Sequence, residues 1–162
     1  MLSEREEQFR KILAEHRPLI SKVCYMYASD NDTFKDLYQE VMINLWQGFA
    51  RFRGECRLST WIYRLALNSC VSYLRTMRRH TEGAVSIDTM ADVSAIEESR
   101  TDDLQEMYSL ISSLNPLDKA LIMLWLEEKP YDEIAEIMGM SRANVASKLH
   151  RIKARLIEKG NS

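Results

Sequence analysis

Apolar residues recur every three or four positions along most of the chain, which is the spacing of an amphipathic helix. The clearest case runs from Phe34 to Phe49. Its apolar positions are Phe34, Leu37, Tyr38, Val41, Met42, Leu45, Trp46 and Phe49. Asp32 is placed to cap this helix. An earlier helix is predicted over roughly Glu4 to Tyr27, and another begins near Ser59, so a three-helix unit is predicted over residues 1–80.

The helical pattern stops after residue 80. The following stretch is small, polar and acidic, contains Gly83, and predicts a flexible linker over residues 81–103. A second folded unit is predicted over residues 104–162, where Asn115 is an N-cap followed by Pro116 at the first helical position. The predicted fold is therefore all-α, with two small helical domains joined by an acidic linker.

The segment PYDEIAEIMGMSRANVASKLHRIKARLIEK predicts two crossing helices that share one core. The apolar positions that indicate this core are Ile134, Ala135, Met138, Val145, Leu149, Ile152 and Leu156. The small side chain of Ala135 permits close helix approach, Gly139 can adopt the left-handed conformation, and Ser141 is placed to cap the second helix. This pattern is typical of a helix-turn-helix.

Charge is distributed in blocks, although the whole chain has a net charge of only −2. Residues 51–79 carry +6 and residues 141–159 carry +5, whereas residues 80–103 carry −6 and residues 104–140 carry −5. Local positive charge of this kind is what phosphate contacts require. On charge alone, solvated helix faces are an equally good explanation.

The second helix of the predicted helix-turn-helix turns a polar face away from its apolar seam. That face carries Arg142, Asn144, Ser147, Lys148 and Arg151. These residue types reach base edges and phosphates in a major groove. An ordinary helical hairpin is the alternative, but it would need no concentration of bases on the second helix and acids on the first.

Composition narrows the possible functions. The sequence contains only 5 Gly and 3 Pro, which supports an all-α protein. Its apolar runs are shorter than the roughly 18 residues of a membrane span, and its first residues do not resemble a signal peptide, so a cytoplasmic location is expected. No nucleophile, base and orienting group share a motif, and no phosphate-binding glycine loop is present, so no enzymatic activity is expected.

No metal, cofactor or small-molecule substrate is expected. The three cysteines cannot all pair, which favours reduced thiols, and the three histidines share no ligand spacing with them. The residues concerned are Cys24, Cys56, Cys70, His16, His80 and His150.

Two segments resemble a known family. The segment from Asp36 to Arg79, DLYQEVMINLWQGFARFRGECRLSTWIYRLALNSCVSYLRTMRR, resembles region 2 of extracytoplasmic-function (ECF) sigma factors, and the segment from Leu114 to Glu158 resembles region 4. The resemblance implies a bacterial alternative sigma factor that binds core RNA polymerase and directs transcription from promoters with particular −10 and −35 elements.

The resemblance also implies roles for individual residues. The residues expected to bind core polymerase are Asp36, Gln39, Glu40, Ile43, Asn44 and Gln47. The residues expected at the −10 element are Arg53, Arg57, Ser59, Thr60, Trp61, Tyr63, Arg64, Asn68, Arg75 and Arg78. The residues expected at the −35 element are Ser141, Arg142, Asn144, Ser147, Lys148 and Arg151. For Trp61 itself, a place in the core is the more common fate of a tryptophan at helical spacing.

The resemblance further implies a membrane-tethered anti-sigma factor as a partner, which would hold the protein at the inner face of the membrane. Three other functions agree less well with the sequence. A helix-turn-helix regulator with an N-terminal sensing domain would not need a second basic, aromatic surface at residues 51–79. An enzyme is disfavoured because no catalytic motif is present, and a helical scaffold is disfavoured by the charge blocks and by both family-like segments.

Overall fold

A computed structural model of the chain describes residues 3–80 and 102–160. The chain divides into two compact units, the first containing three helices and the second four. The helices are α1 (Glu4–Tyr27), α2 (Asn31–Phe49), α3 (Leu58–His80), α4 (Asp102–Ser112), α5 (Pro116–Leu126), α6 (Tyr131–Met138) and α7 (Arg142–Gly160). The described residues contain no strand, and the predicted all-α fold with two helical domains is confirmed.

The first unit is a three-helix bundle in which each helix packs against the other two. Its core comprises Phe9, Ile20, Val23, Cys24, Tyr27, Leu37, Val41, Leu45, Ile62, Tyr63, Ala66, Leu67 and Cys70. The buried residues of α2 follow the predicted spacing. Arg5 ties the start of α1 to the end of α2, because its guanidinium lies 4.5 Å from the ring centre of Trp46 and donates to the Trp46 carbonyl.

The predicted cap of α2 is wrong by two residues. Asp30 is the N-cap, with an extended backbone and a side chain that accepts a 2.7 Å hydrogen bond from the backbone N–H of Thr33. This bond lowers the pKa of the Asp30 carboxyl group. Asp32 lies in the first helical turn, where a negative charge interacts favourably with the helix dipole but does not cap.

The second unit buries a core from all four of its helices. This core comprises Ile111, Leu114, Ala120, Leu121, Ile122, Met123, Leu124, Ile134, Ile137, Val145, Leu149 and Ile152. The predicted cap at Asn115 is confirmed, since its side chain accepts a 2.9 Å hydrogen bond from the N–H of Asp118. The prediction for α6 is partly wrong, because Ile137 is buried whereas Ala135 and Met138 are half-buried. Ile134 and Ile137 lie three residues apart and share the inner face of this short helix.

The predicted acidic linker, residues 81–103, lies outside the described residues except at its end. There α4 begins at Asp102, two residues before the predicted start of the second unit.

Candidate nucleic-acid and protein-binding surfaces

The turn between α6 and α7 has the geometry of a helix-turn-helix. Gly139 adopts φ 67° and ψ 37°, the left-handed conformation, and its N–H donates to the carbonyl of Ala135. The hydroxyl of Ser141 accepts a 3.1 Å hydrogen bond from the N–H of Asn144. Both predicted features, the left-handed glycine and the serine cap, are confirmed, and together they fix the direction in which α7 begins.

Helix α7 has a buried face and a polar face. Val145 and Leu149 are fully buried and Ile152 is nearly so, while the predicted DNA-binding residues lie on the remaining surface. Ser141, Arg142, Asn144, Ser147 and Arg151 are exposed, and Lys148 is half-buried. The structure therefore brings all six onto the solvent side of one helix-turn-helix.

His150, which is not among the residues expected at the −35 element, also lies on this surface. His150 is exposed, and it lines a shallow depression on α7 together with Ala146, Ser147 and Arg151. The sequence contained a signal for this, because His150 follows Ser147 by three residues, a spacing that places two side chains on the same side of a helix.

In the first unit, the loop between α2 and α3 carries the predicted −10 residues nearest to the start of α3. Gly54 has φ 76°, and the Arg53 side chain donates a 2.9 Å hydrogen bond to the carbonyl of Ala50. Trp61 is half-buried, and its ring centre lies 5.0 Å from that of Phe52. Trp61 therefore packs against the loop, and part of its side chain remains exposed to solvent.

The predicted −10 residues differ in exposure. Arg53, Arg57, Asn68, Arg75 and Arg78 are exposed, Ser59, Trp61 and Arg64 are half-buried, and Thr60 and Tyr63 are buried. Thr60 is only 1% exposed and Tyr63 only 5%. These two side chains lie in the core of the unit, where they can position their neighbours but present almost no surface to DNA.

Three exposed polar residues of α3 and the half-buried Arg64 form a stripe. Arg64, Asn68, Arg75 and Arg78 follow one another at intervals of four, seven and three residues. Such intervals place side chains on one face of a helix. These four of the predicted −10 residues of α3 therefore form one stripe of three arginines and one asparagine.

Helix α2 presents the residues expected to bind polymerase on its outer face. Asp36, Gln39, Glu40, Ile43 and Gln47 are exposed. Ile43 is a large apolar side chain with 43% of its surface exposed among polar neighbours. Asn44 differs from them, because it is half-buried and donates a 2.8 Å hydrogen bond to Ser69 of α3.

A second hydrogen bond links α2 to α3. The hydroxyl of Tyr73 donates to a carboxylate oxygen of Asp36 at 3.1 Å. Partial burial and this hydrogen bond raise the pKa of Tyr73. A groove of about 440 Å³ runs between the two helices, lined by Glu40 and Asn44 on one side and by residues that include Asn68 on the other. Two of the expected polymerase-binding residues, Glu40 and Asn44, and one expected −10 residue, Asn68, thus line the same groove.

The three cysteines are free thiols. Cys24 and Cys70 are buried in the first unit, and Cys56 is half-buried in the loop before α3. A hydrogen bond with Cys24 and burial raise the pKa of Cys70. Within the described ranges, no helix is long and apolar enough to cross a bilayer.

Comparison with known proteins identifies both units. Residues 12–80 match the family described as Sigma-70 region 2, and residues 104–156 match the family described as Sigma-70, region 4. An ECF RNA polymerase sigma-E factor of Haemophilus influenzae is 29% identical over 94% of this chain and 89% of its own length. The RNA polymerase sigma factor YlaC of Bacillus subtilis is also 29% identical, over 77% of this chain and 76% of its own.

Solved structures show the same fold. The sigma factor RpoE of Bartonella quintana, solved with the anti-sigma factor NepR, superimposes with a TM-score of 0.76 at 22% identity, over 94% of this chain and 96% of that one. CnrH, solved with the cytosolic domain of CnrY, gives a TM-score of 0.67 at 17% identity, over 94% and 87% of the two chains.

Two helical units that match regions 2 and 4 in this order define a promoter-recognition subunit of bacterial RNA polymerase. The chain belongs to the sigma-70 family, in its ECF group. It is therefore an alternative sigma factor, a protein without catalytic activity that binds core RNA polymerase and directs transcription from specific promoters.

Proposed function

We propose that this sigma factor uses three separate binding surfaces. The outer face of α2 binds core polymerase, the stripe on α3 binds the −10 element, and the polar face of α7 binds the −35 element. One observation carries this proposal. Each of the two units presents a helix that buries an apolar face and exposes several basic residues, as a nucleic-acid partner requires.

The α2 surface suits a protein partner. Protein interfaces combine apolar side chains with a polar rim, and Ile43 lies among Gln39, Glu40 and Gln47 in that manner. The residues proposed to bind polymerase directly are Asp36, Gln39, Glu40, Ile43 and Gln47. Asn44 supports this surface indirectly, because it hydrogen-bonds Ser69 of α3.

The α3 surface suits unpaired DNA. Single strands are bound by basic grooves that follow the backbone, together with aromatic rings on which bases stack. Arg64, Asn68, Arg75 and Arg78 provide the polar stripe, and Arg53, Arg57 and Ser59 provide the adjoining loop and helix start. The exposed part of Trp61 is available for stacking, while Thr60 and Tyr63 hold the helix start in place from the core.

The α7 surface suits duplex DNA. Its polar residues project from the second helix of a helix-turn-helix, which is the element that enters a major groove. We include His150 with Ser141, Arg142, Asn144, Ser147, Lys148 and Arg151, because it is exposed on the same helix.

The fold also suits control by an anti-sigma factor. RpoE of Bartonella quintana and CnrH were each solved with another protein, described for RpoE as an anti-sigma factor. Both share this fold over 94% of the chain. We propose that this sigma factor acts in the cytoplasm and is held inactive there by a dedicated, membrane-tethered anti-sigma factor.

The domain boundaries are part of the proposal. Residues 1–80 form the −10 and polymerase-binding domain, residues 81–103 the linker, and residues 104–162 the −35 domain. Each domain has a core built from its own helices, which supports separate folding. A helix-turn-helix regulator with a sensing domain is disfavoured, because residues 12–80 match sigma region 2.

Reconstituted transcription tests the proposed function. The full chain is added to core RNA polymerase on fragmented genomic DNA of the host, and the run-off transcripts are sequenced. We expect start sites that share two sequence elements upstream, and we expect the chain to bind core polymerase without DNA. Binding to DNA but never to core polymerase would contradict the proposal and favour the regulator.

A further inference from the structure

An ion pair connects the two helices of the helix-turn-helix on their outer side. The Nε atom of Arg142 lies 3.7 Å from a carboxylate oxygen of Asp132. Asp132 lies in the first turn of α6, and Arg142 is the first residue of α7. The pair therefore spans the turn and joins the beginnings of both helices.

Neither residue serves mainly to stabilise the fold. The Arg142 side chain is 68% exposed and that of Asp132 is 79% exposed. Ion pairs with this exposure contribute little to stability, because water screens them. The direction of α7 is already fixed by the left-handed Gly139 and by the Ser141 cap.

The geometry of the ion pair determines which N–H donors of Arg142 remain available for another partner. A guanidinium group carries five N–H donors in a planar fork. The carboxylate of Asp132 approaches the Nε edge, so the two terminal nitrogens remain available. Two terminal nitrogens held in one plane match the O6 and N7 atoms of guanine, the most common specific contact in a major groove.

The location of Asp132 also disfavours DNA binding that does not depend on the base sequence. An exposed carboxylate beside the first residue of a recognition helix repels phosphate, which weakens contacts that carry no sequence information. By contrast, the neighbouring acid Glu133 forms an ion pair with Lys129, which precedes α6 by two residues.

We propose that Asp132 is a specificity-determining residue, which holds the Arg142 guanidinium so that it reads a guanine in the −35 duplex. The proposal rests on the proposed role of α7 at the −35 element. Asp132 acts through Arg142 and makes no contact with the base, so it is a positioning residue.

A double-mutant cycle tests this role in the holoenzyme. Promoter binding is measured on a set of templates in which every −35 base pair is replaced in turn, for the wild type, D132N, R142A and the double variant. R142A should lose preference for one G·C pair by about ten-fold or more. D132N should lower the preference at that same pair by about two- to five-fold, the range open to an exposed ion pair. In the R142A background, D132N should change no preference.

Glu136→Gln is the matched control, because Glu136 is an exposed acid one turn further along α6. It should leave every base preference unchanged. An equal rise in affinity for all templates with D132N, without a change in preference, would show that Asp132 acts by charge alone and would overturn the proposal. A loss of base preference caused by D132N that also occurs in the R142A background would overturn the proposal as well. If R142A altered no preference at all, the fault would lie with the assignment of Arg142 to the −35 element.

Discussion

The side-chain amide of Asn44 on α2 donates a 2.8 Å hydrogen bond to the hydroxyl of Ser69 on α3. That hydroxyl donates in turn to the carbonyl of Leu65 at 2.7 Å. Ser69 is only 5% exposed and directly follows Asn68. The helix proposed to bind polymerase is therefore hydrogen-bonded to the helix proposed to hold unpaired DNA, at the residue that follows Asn68.

We expect Asn44→Ala to weaken the first unit and to impair promoter melting more than polymerase binding. The substitution removes a hydrogen-bond donor from a nearly buried hydroxyl, which costs about 1 kcal/mol of unfolding free energy. Urea unfolding, core-polymerase affinity and permanganate footprinting of the melted region would be measured side by side.

Gln39→Ala is the stability control, because Gln39 is exposed on the same helix. It should change the unfolding free energy by no more than about 0.5 kcal/mol. If Asn44→Ala lowered only the affinity for core polymerase and left stability unchanged, Asn44 would be a direct polymerase contact, as the sequence analysis expected.

We expect Ile43→Lys to lower the affinity for core polymerase by about ten-fold or more, as loss of a central apolar side chain does at protein interfaces. Stability should change little, because Ile43 is 43% exposed in the free protein. Glu15→Gln, at an exposed position of α1, changes the net charge by the same amount and should leave the affinity unchanged. Equal affinities of the Ile43→Lys variant and the wild type would remove Ile43 from the interface.

The helices and their order were predictable from the sequence, because apolar spacing and capping residues are local signals. The predicted bounds of the first helix, Glu4 to Tyr27, match α1. The left-handed conformation of Gly139 was equally predictable, since a glycine between two periodic segments marks the end of a helix.

Features that depend on neighbouring helices were not predictable in this way. Two aspartates, Asp30 and Asp32, were both suitable caps for α2, and only the backbone path decides between them. Thr60 and Tyr63 belong to a motif expected at DNA, yet both lie in the core formed by the three helices of the first unit. Asn44 was expected on the surface, and its bond to Ser69 joins positions 25 residues apart.

We expect Gly139→Ala to destabilise the second unit by about 1 kcal/mol, since a left-handed backbone is unfavourable for residues with a Cβ atom. No atom lies within 4 Å of the added Cβ position, so the cost comes from the backbone alone. Hydrogen exchange of the α6 and α7 amides would report the loss. Gly160→Ala, where the added Cβ makes an ordinary 3.9 Å contact with Leu110, is the control and should not destabilise. Unchanged exchange in Gly139→Ala would contradict this expectation and show that the turn tolerates alanine at position 139.

We expect Asn68→Ala and Arg151→Ala to have different defects, because each lies on a different DNA-facing helix. Asn68 is exposed in the α3 stripe, so its loss should damage open-complex formation and leave binding to a −35 duplex fragment intact. Arg151 is exposed on α7, so its loss should weaken −35-dependent binding by roughly 1 to 3 kcal/mol if its contact with a base is bidentate. Melting at the start site should survive in the Arg151→Ala complex once it forms.

A promoter-fragment binding assay and permanganate footprinting of the melted region separate the two effects. Glu158→Gln, at an exposed position near the end of α7, is the control and should behave as the wild type in both assays. Equal defects of Asn68→Ala and Arg151→Ala in both assays would contradict the division of labour between α3 and α7. A melting defect in Arg151→Ala that persisted at saturating protein would do the same, because a residue that contacts only the −35 duplex acts before the strands separate.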